Sequence, residues 1–152
     1  FKFIKMFAER AVHKEYLALV EGVPHLKSGS IKQPIGRDMK VRVKMAVTDK
    51  GRPAHTDWVL EKAFESTSLL RCYLHTGRTH QIRVHLASIH YPILGDITYG
   101  YRYKKGHGIE VSRVMLHAER ISFLHPITGE PILIVAPLPE DFKDYINFMK
   151  KE

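Results

Sequence analysis

The residues richest in chemical function lie between positions 75 and 90, which read HTGRTHQIRVHLASIH. Gly77 allows a sharp turn after a strand, and Thr79 is a residue type that caps the first turn of a helix. Unpaired backbone amides at such a helix start, with Arg78 beside them, form a natural phosphate site. The alternative is that Thr79 only caps the helix and Arg78 only keeps it solvated, and the spacing does not decide between the two.

Arg83 lies at the margin of an apolar stripe on the helix predicted over residues 79–89. Ile82, Leu86 and Ile89 form this stripe at helical spacing, and Arg83 lies one helical step from its centre. A guanidinium in this position is partly desolvated, so it needs an anionic partner. The alternative is that its charged end extends past the apolar surface into water, and position alone favours that alternative.

Histidines recur every five residues in this stretch, at His75, His80, His85 and His90. This period places them on no single face of a helix or a strand, so it does not predict a metal site. The sequence also lacks an HExxH motif, a phosphate-binding loop, a dinucleotide-binding glycine pattern and a GxSxG elbow. We therefore expect no metal and no serine-hydrolase chemistry.

The charge balance is basic, with 24 Lys and Arg against 16 Asp and Glu, a net charge of +8 and a pI near 9.6. Such a field favours polyanionic partners, with nucleic acid first, although a basic protein without such a partner is the alternative. No apolar run is long enough to span a bilayer. The single cysteine, Cys72, excludes an internal disulfide, so we expect a cytoplasmic protein, or an organellar or nuclear one in a eukaryote.

Hydrophobic spacing predicts the elements that position these residues. The predicted strands cover 14–21, 30–35, 55–62, 68–75, 115–124 and 131–136, and the predicted helices cover 3–10, 79–89 and 140–150. Residues 36–53 are interpreted as a mobile basic loop with a short strand near 45–47, and 101–108 as a second basic loop. Runs of strands with few helices predict one α+β domain over 1–152, built on a mainly antiparallel sheet.

Several segments resemble the RluA-type RNA pseudouridine synthases. Residues 75–100 are similar to the signature stretch of that family, and KEYLALVEG at 14–22 is similar to its tyrosine motif. Further segments that resemble the family, in the family's order, are 34–37, 51–56, 115–118 and 123–126. The resemblance covers essentially the whole chain and implies the pseudouridine synthase catalytic-domain fold.

The resemblance implies an enzyme that converts uridine in RNA to pseudouridine without a metal or an organic cofactor. It implies that Tyr16 stacks on the extruded base and that Arg83 pairs with a catalytic Asp, both facing one pocket. An aromatic ring replaces the neighbours that an extruded base has lost, and its hydroxyl is able to help remove the proton from carbon 5. The guanidinium keeps the carboxylate ionised and oriented. Ile82 and Leu116 are the expected walls of the uracil pocket.

One departure from the family is expected to matter. In the family an Asp within an RLD-type motif precedes the tyrosine motif, and this chain contains no such motif. We expect that the nucleophile is encoded before Phe1, that this chain alone is inactive, and that Arg83 lacks a carboxylate partner within the chain. The alternatives are a non-catalytic RNA-binding domain of the same fold and, less favoured, a basic structural module.

RNA, ribosomal first and transfer RNA second, is the expected partner. When RNA binds, we expect phosphates near Arg78 and the helix start at Thr79, and we expect the loop over residues 37–52 to close over the strand that carries Tyr16. Lys14 is a weaker candidate, which we place on the opposite strand face. The candidate RNA-binding residues are Arg37, Lys40, Arg42, Lys44, Arg52, Arg78, Thr79 and His80. The oligomeric state is not predicted.

Overall fold

The computed structural model of the chain describes residues 12–103 and 111–150. The helix expected over 3–10 and residues 104–108 of the second basic loop lie outside the described residues. The strands are β1 (His13–Glu21), β2 (Ser28–Ile31), β3 (Ile35–Arg37), β4 (Met45–Val47), β5 (Thr56–Ala63), β6 (Thr67–Leu74), β7 (Leu116–Leu124) and β8 (Pro131–Val135). The helices are α1 (Gln81–Ser88), a short 3-10 helix (Ile97–Tyr99) and α2 (Glu140–Lys150).

Most of these strands belong to one antiparallel sheet. Within the described ranges its order is β2-β5-β6-β1-β7-β8, and β3 and β4 pair as a separate hairpin. Each strand of the sheet runs antiparallel to its neighbours, including β1 between β6 and β7. The predicted α+β class with a mainly antiparallel sheet and few helices is therefore confirmed.

Three predicted elements differ from the structure. The strand expected over 30–35 is split, because β2 pairs with β5 whereas β3 begins after Pro34 and pairs with β4. Proline has no amide hydrogen for a sheet, which explains a break at this point. The stretch interpreted as a basic loop is largely this β3–β4 hairpin, and the short strand at 45–47 is confirmed. The helix expected over 79–89 is shorter and begins at Gln81.

Helix α1 packs on one face of the sheet through buried polar and apolar contacts. Thr56 of β5 is fully buried, and its hydroxyl bonds His85 Nδ1 at 2.8 Å and accepts Gln81 Nε2 at 2.9 Å. Ile82 and Leu86 of α1 enter the same core as the centre of β1. Because Gln81 and His85 are buried as well, the apolar stripe that the sequence predicted is only part of the buried surface of this helix.

Helix α2 packs on the other face. Phe142, Tyr145 and Met149 are buried at helical spacing, as an amphipathic helix requires. The Phe142 ring lies 6.1 Å from the ring of His117, which pairs with Leu17 on the face of β1 opposite Tyr16. Burial of a side chain as large as Phe142 contributes about 1.5–3 kcal/mol. None of the helices in the described part of the chain combines the length and apolar character that crossing a bilayer requires.

Candidate active site

Tyr16 lies near the middle of β1 beside an open groove. The ring is half-buried and packs partly against the core, and it lines a cavity of about 400 Å³. That volume lies in the range of roughly 300–1,000 Å³ that is usual for small-molecule sites. The residues that line the groove come from β1, from β7, and from β8 with the residue that follows it: Lys14, Tyr16, Ala118, Glu119, Arg120, Ile121, Ile134 and Ala136. Tyr16 is therefore not solely a core aromatic.

Lys14 lines the same groove as Tyr16. The expectation that Lys14 points to the opposite strand face is wrong, because side chains two residues apart on a strand point to the same side. A cation and an aromatic ring thus line the same groove.

Arg83 forms a bidentate ion pair with Asp96. Arg83 Nε donates to Asp96 Oδ2 and Nη2 donates to Oδ1, both at 2.9 Å. Asp96 is buried, with 1% of its side chain exposed, whereas Arg83 retains 20%. This hydrogen bonding raises the pKa of the Arg83 guanidinium, against the opposing effect of burial. The expectation that Arg83 lacks a carboxylate partner within the chain is therefore wrong.

The turn after α1 explains why the pair was missed. Gly95 adopts a positive φ of 85°, and the chain turns there so that Asp96 returns to the side of α1. A side chain added to Gly95 would lie 1.9 Å from the carbonyl oxygen of Arg113, so only glycine fits this turn. Asp96 lies within the 75–100 stretch that resembles the family signature, yet spacing along the chain gave no sign that it contacts Arg83.

Tyr99 connects Arg83 to the β3–β4 hairpin. The Arg83 guanidinium carbon lies 5.0 Å from the Tyr99 ring centre, a cation–π geometry. The Tyr99 hydroxyl accepts the Met45 amide at 2.9 Å and donates to His80 Nδ1 at 2.7 Å. Burial lowers the pKa of His80, and the Arg83 charge lowers it further, which favours the neutral imidazole that this hydrogen bond needs. His80, a candidate RNA contact, is thus also a hydrogen-bond partner of the tyrosine that contacts Arg83 and the hairpin.

The start of α1 is built differently from the prediction. The N-cap residue is His80, in a left-handed conformation, with no side-chain capping hydrogen bond, so Thr79 does not cap the helix. Gln81 instead organises the turn: its Oε1 accepts the Arg78 amide at 3.0 Å and the Thr76 hydroxyl at 2.6 Å. Arg78 Nε donates to the Pro53 carbonyl at 2.7 Å, which holds the Arg78 side chain against the residues that precede β5. Thr79 is exposed.

The basic hairpin is anchored on α1. Ile35 of β3 is buried with Val84 and Tyr99, so the hairpin packs against α1 and the 3-10 helix. The Asp38 carboxylate accepts the amides of Lys40 and Val41, and these hydrogen bonds lower the pKa of Asp38. The expectation that the loop over residues 37–52 closes over the strand bearing Tyr16 when RNA binds stays a prediction. The exposed cations of the segment are Arg37, Lys40, Arg42, Lys50 and Arg52, whereas Lys44 is half-buried, with its Nζ 5.6 Å from the centre of the Tyr99 ring.

The two expected walls of the base pocket lie outside the groove at Tyr16. Ile82 is 4% exposed and belongs to the core, where it cannot contact a ligand directly without a rearrangement. Leu116 is half-buried and pairs with Ala18 of β1. The groove is walled instead by β7 and β8.

Tyr16 and α1 lie on the same side of the sheet. Tyr16 lines up across β6 with Trp58, and Thr56, two residues earlier on β5, points the same way. Since His85 of α1 bonds Thr56, the helix that carries Arg83 covers the face on which Tyr16 lies. The residues that line the groove do not include Arg83, so the groove and the Arg83–Asp96 pair are separate features of one face.

The four histidines at five-residue spacing have four different environments. His85 is fully buried between Thr56 and the Gln33 carbonyl, and His80 bonds Tyr99. His75 lies beyond the end of β6, and His90 is exposed. As their period predicted, they do not form one cluster.

Comparisons with known proteins agree with this architecture. The family model described as "RNA pseudouridylate synthase" matches residues 1–88. Ribosomal large subunit pseudouridine synthase D of Xanthomonas campestris is 40% identical over 158 residues, which cover 98% of this chain and 47% of that protein. An uncharacterized RNA pseudouridine synthase of Chloroflexus aurantiacus is 47% identical over 134 residues, which cover 88% of this chain and 41% of that protein.

Solved structures of the same kind also match. Human RNA Pseudouridylate Synthase Domain Containing 4 superposes with a TM-score of 0.79 at 25% identity, covering 97% of this chain and 66% of that one. Human RNA Pseudouridylate Synthase Domain Containing 1 superposes with a TM-score of 0.73 at 27% identity, covering 98% of this chain and 70% of that one. The chain spans about half the length of the curated relatives it matches. With the matched segment carrying Tyr16 and Arg83, and the fold shared along nearly the whole chain, this protein belongs to the RNA pseudouridylate synthase family.

Proposed function

We propose that this chain is the carboxyl-terminal part of a pseudouridine synthase catalytic domain, which receives the extruded uridine and positions the catalytic carboxylate. The observation that carries this proposal is the placement of Tyr16 in an open groove on the sheet face that α1 and Arg83 cover. The 152 residues contain no RLD-type motif. The carboxylate that attacks or deprotonates the nucleoside is therefore supplied from outside them, and the chain alone makes no pseudouridine.

Tyr16 supplies the stacking surface. Tyr16 packs partly against the core and also lines the groove, so the core supports the ring while it presents an aromatic surface. Stacking of one base on an aromatic side chain is worth about 1–3 kcal/mol. Lys14, in the same groove, is placed to neutralise a phosphate next to the extruded nucleotide. The Tyr16 hydroxyl is the candidate for removal of the carbon 5 proton.

Arg83 supplies a guanidinium that Asp96 has already oriented. Asp96 engages Nε and Nη2, and within the described residues no hydrogen bond involves Nη1. A guanidinium has five N–H donors, so Nη1 remains able to bind a second carboxylate. In this arrangement Asp96 fixes the guanidinium plane, and the incoming catalytic Asp binds the remaining edge.

The β3–β4 hairpin is the proposed RNA-backbone surface. Its exposed cations stand on a base that Ile35 and Tyr99 anchor to α1, so phosphate binding is positioned relative to Arg83. Arg78 extends this surface to the start of α1. Ribosomal RNA is the first proposed substrate, on the resemblance to the Xanthomonas relative, and transfer RNA is the second.

The test is the binding of a short uridine-containing single-stranded RNA to the chain and two variants. Tyr16→Ala is expected to weaken binding by roughly 5- to 150-fold, the loss of one stacked base. Tyr73→Ala is the control, because Tyr73 pairs with Glu15 and so points away from the Tyr16 face. Equal effects of the two variants would contradict the role of Tyr16, and pseudouridine formed by the chain alone would contradict the missing nucleophile.

A further inference from the structure

Three potential metal ligands converge at the end of the β5–β6 pair. His55 Nε2 lies 2.8 Å from Asp57 Oδ1, and His75 Nε2 lies 2.7 Å from Asp57 Oδ2. The two imidazole rings stack in parallel, with their centres 4.0 Å apart and their planes at 16°. One ligand atom from each residue lies within 4.8 Å of the other two.

The strand pairing holds these side chains together. His55 and His75 are the residues just outside β5 and β6, and the His75 amide donates to the His55 carbonyl at 3.1 Å. Ser30 of β2 donates a hydrogen bond to Asp57 and so fixes the carboxylate from a third strand. Burial tends to raise the pKa of Asp57, but the hydrogen bonds from Ser30, His75 and His55 together lower it to about 2, so the carboxylate is anionic.

We propose that His55, Asp57 and His75 bind a divalent transition-metal ion of the Zn²⁺ class. Two imidazole nitrogens and one carboxylate oxygen suit Zn²⁺, Ni²⁺ and Cu²⁺ better than Mg²⁺ or Ca²⁺. Ligands at 2.0–2.2 Å from a tetrahedral ion stand about 3.4 Å from one another. Each imidazole nitrogen now lies 2.7–2.8 Å from a carboxylate oxygen, so it would need to move away from that oxygen by about 0.6–0.7 Å, which side-chain rotation supplies. Each imidazole would bind through Nε2 and carry its proton on Nδ1.

The site is distinct from the groove at Tyr16. Asp57 pairs with Tyr73, which pairs with Glu15, and this register places the cluster on the sheet face opposite Tyr16. The side chain of His75 is 48% exposed, so the ion is accessible and water completes its coordination. The bound ion ties β5 to β6 just before the turn that leads into α1. Its role is to stabilise this turn, and it does not depend on the function proposed above.

The test is a calorimetric titration of the full chain with Zn²⁺ alone, together with thermal unfolding in Zn²⁺ and in chelator. We expect one saturable Zn²⁺ per chain and a higher unfolding midpoint in Zn²⁺, since a ligand that binds the folded state stabilises it. Asp57→Asn and His75→Gln are each expected to weaken binding at least tenfold and to abolish the rise of the midpoint. His25→Gln, at an exposed histidine before β2, is the control and is expected to change neither.

Two outcomes would overturn the proposal. One is the absence of saturable Zn²⁺ binding, which would leave the cluster as a set of hydrogen bonds only. The other is saturable binding that Asp57→Asn and His75→Gln leave unchanged while both variants give the circular dichroism of the parent chain, which would place the ion elsewhere.

Discussion

Replacing Asp96 by Asn is expected to lower the free energy of unfolding by about 3 kcal/mol, the low end of the cost of removing one partner from a buried ion pair. The low end applies because Arg83 keeps 20% of its side chain exposed, whereas Asp96 keeps 1%. The amide retains one acceptor but no charge, so the guanidinium stays desolvated without its counter-ion. For a chain of this size each kcal/mol shifts the melting temperature by about 2–4 °C, so we expect a fall of roughly 6–12 °C.

The chain offers a matched control in Arg113 and Asp141. This pair is also bidentate, at 2.6 and 3.0 Å, but its side chains are 39% and 44% exposed. Asp141→Asn is therefore expected to cost only about 0–1 kcal/mol. Thermal unfolding by circular dichroism measures both variants under one condition. Equal shifts of the melting temperature would refute the argument that burial, rather than ion-pair geometry, gives Asp96 its importance.

Three further predictions concern acid stability, RNA binding and the hairpin anchor. The pKa of Asp57 is lowered from 3.8 to about 2, so the stability that its charge contributes is present above pH 4 and is lost as the pH falls towards 2. In Asp57→Asn the unfolding midpoint should therefore change less between pH 4 and pH 2 than in the parent chain. The same midpoint-against-pH curve for both proteins would contradict this prediction. Lys40→Ala with Arg42→Ala removes two exposed cations, so the slope of log affinity for single-stranded RNA against log salt should fall by about 1.4, and an unchanged slope would exclude the hairpin from the interface. Tyr99→Phe removes two hydrogen bonds of the hydroxyl and should cost about 1–3 kcal/mol in urea unfolding, whereas no loss would mean that the ring alone anchors the hairpin.

Strands and the terminal helix were predictable because their signals are local. The alternation of KEYLALVE gave β1 to within one residue, and residues 140–150 gave the exact bounds of α2. Both patterns arise because a strand or helix packs one face against the core, so its apolar side chains recur with the period of that element. The start of α1 was not predictable in this way, because His80 in a left-handed conformation takes the N-cap position and Gln81 binds the preceding turn.

The residue types of the candidate site follow from the resemblance and stay predictions, whereas the contacts among these residues were not predictable. The resemblance identified Tyr16 and Arg83, and the structure adds that Asp96 already pairs with Arg83. This pairing depends on the turn at Gly95, and the distance between Arg83 and Asp96 cannot be inferred from their separation along the sequence. The contact of His55 with Asp57 was within reach, because residues two apart on a predicted strand share a face. Their contact with His75 needed the register of β5 with β6.

The most direct test of the central claim is a nuclear magnetic resonance titration that follows the Tyr16 ring and the Arg83 side chain during addition of RNA. The first RNA is a short strand with a single uridine, and the second is the same strand with that base removed. We predict that the intact strand shifts both signals with one dissociation constant, and that the abasic strand shifts hairpin signals but leaves Tyr16 unchanged. If Tyr16 does not distinguish the two strands, or if Arg83 is unaffected by either, the two residues do not serve one uridine site.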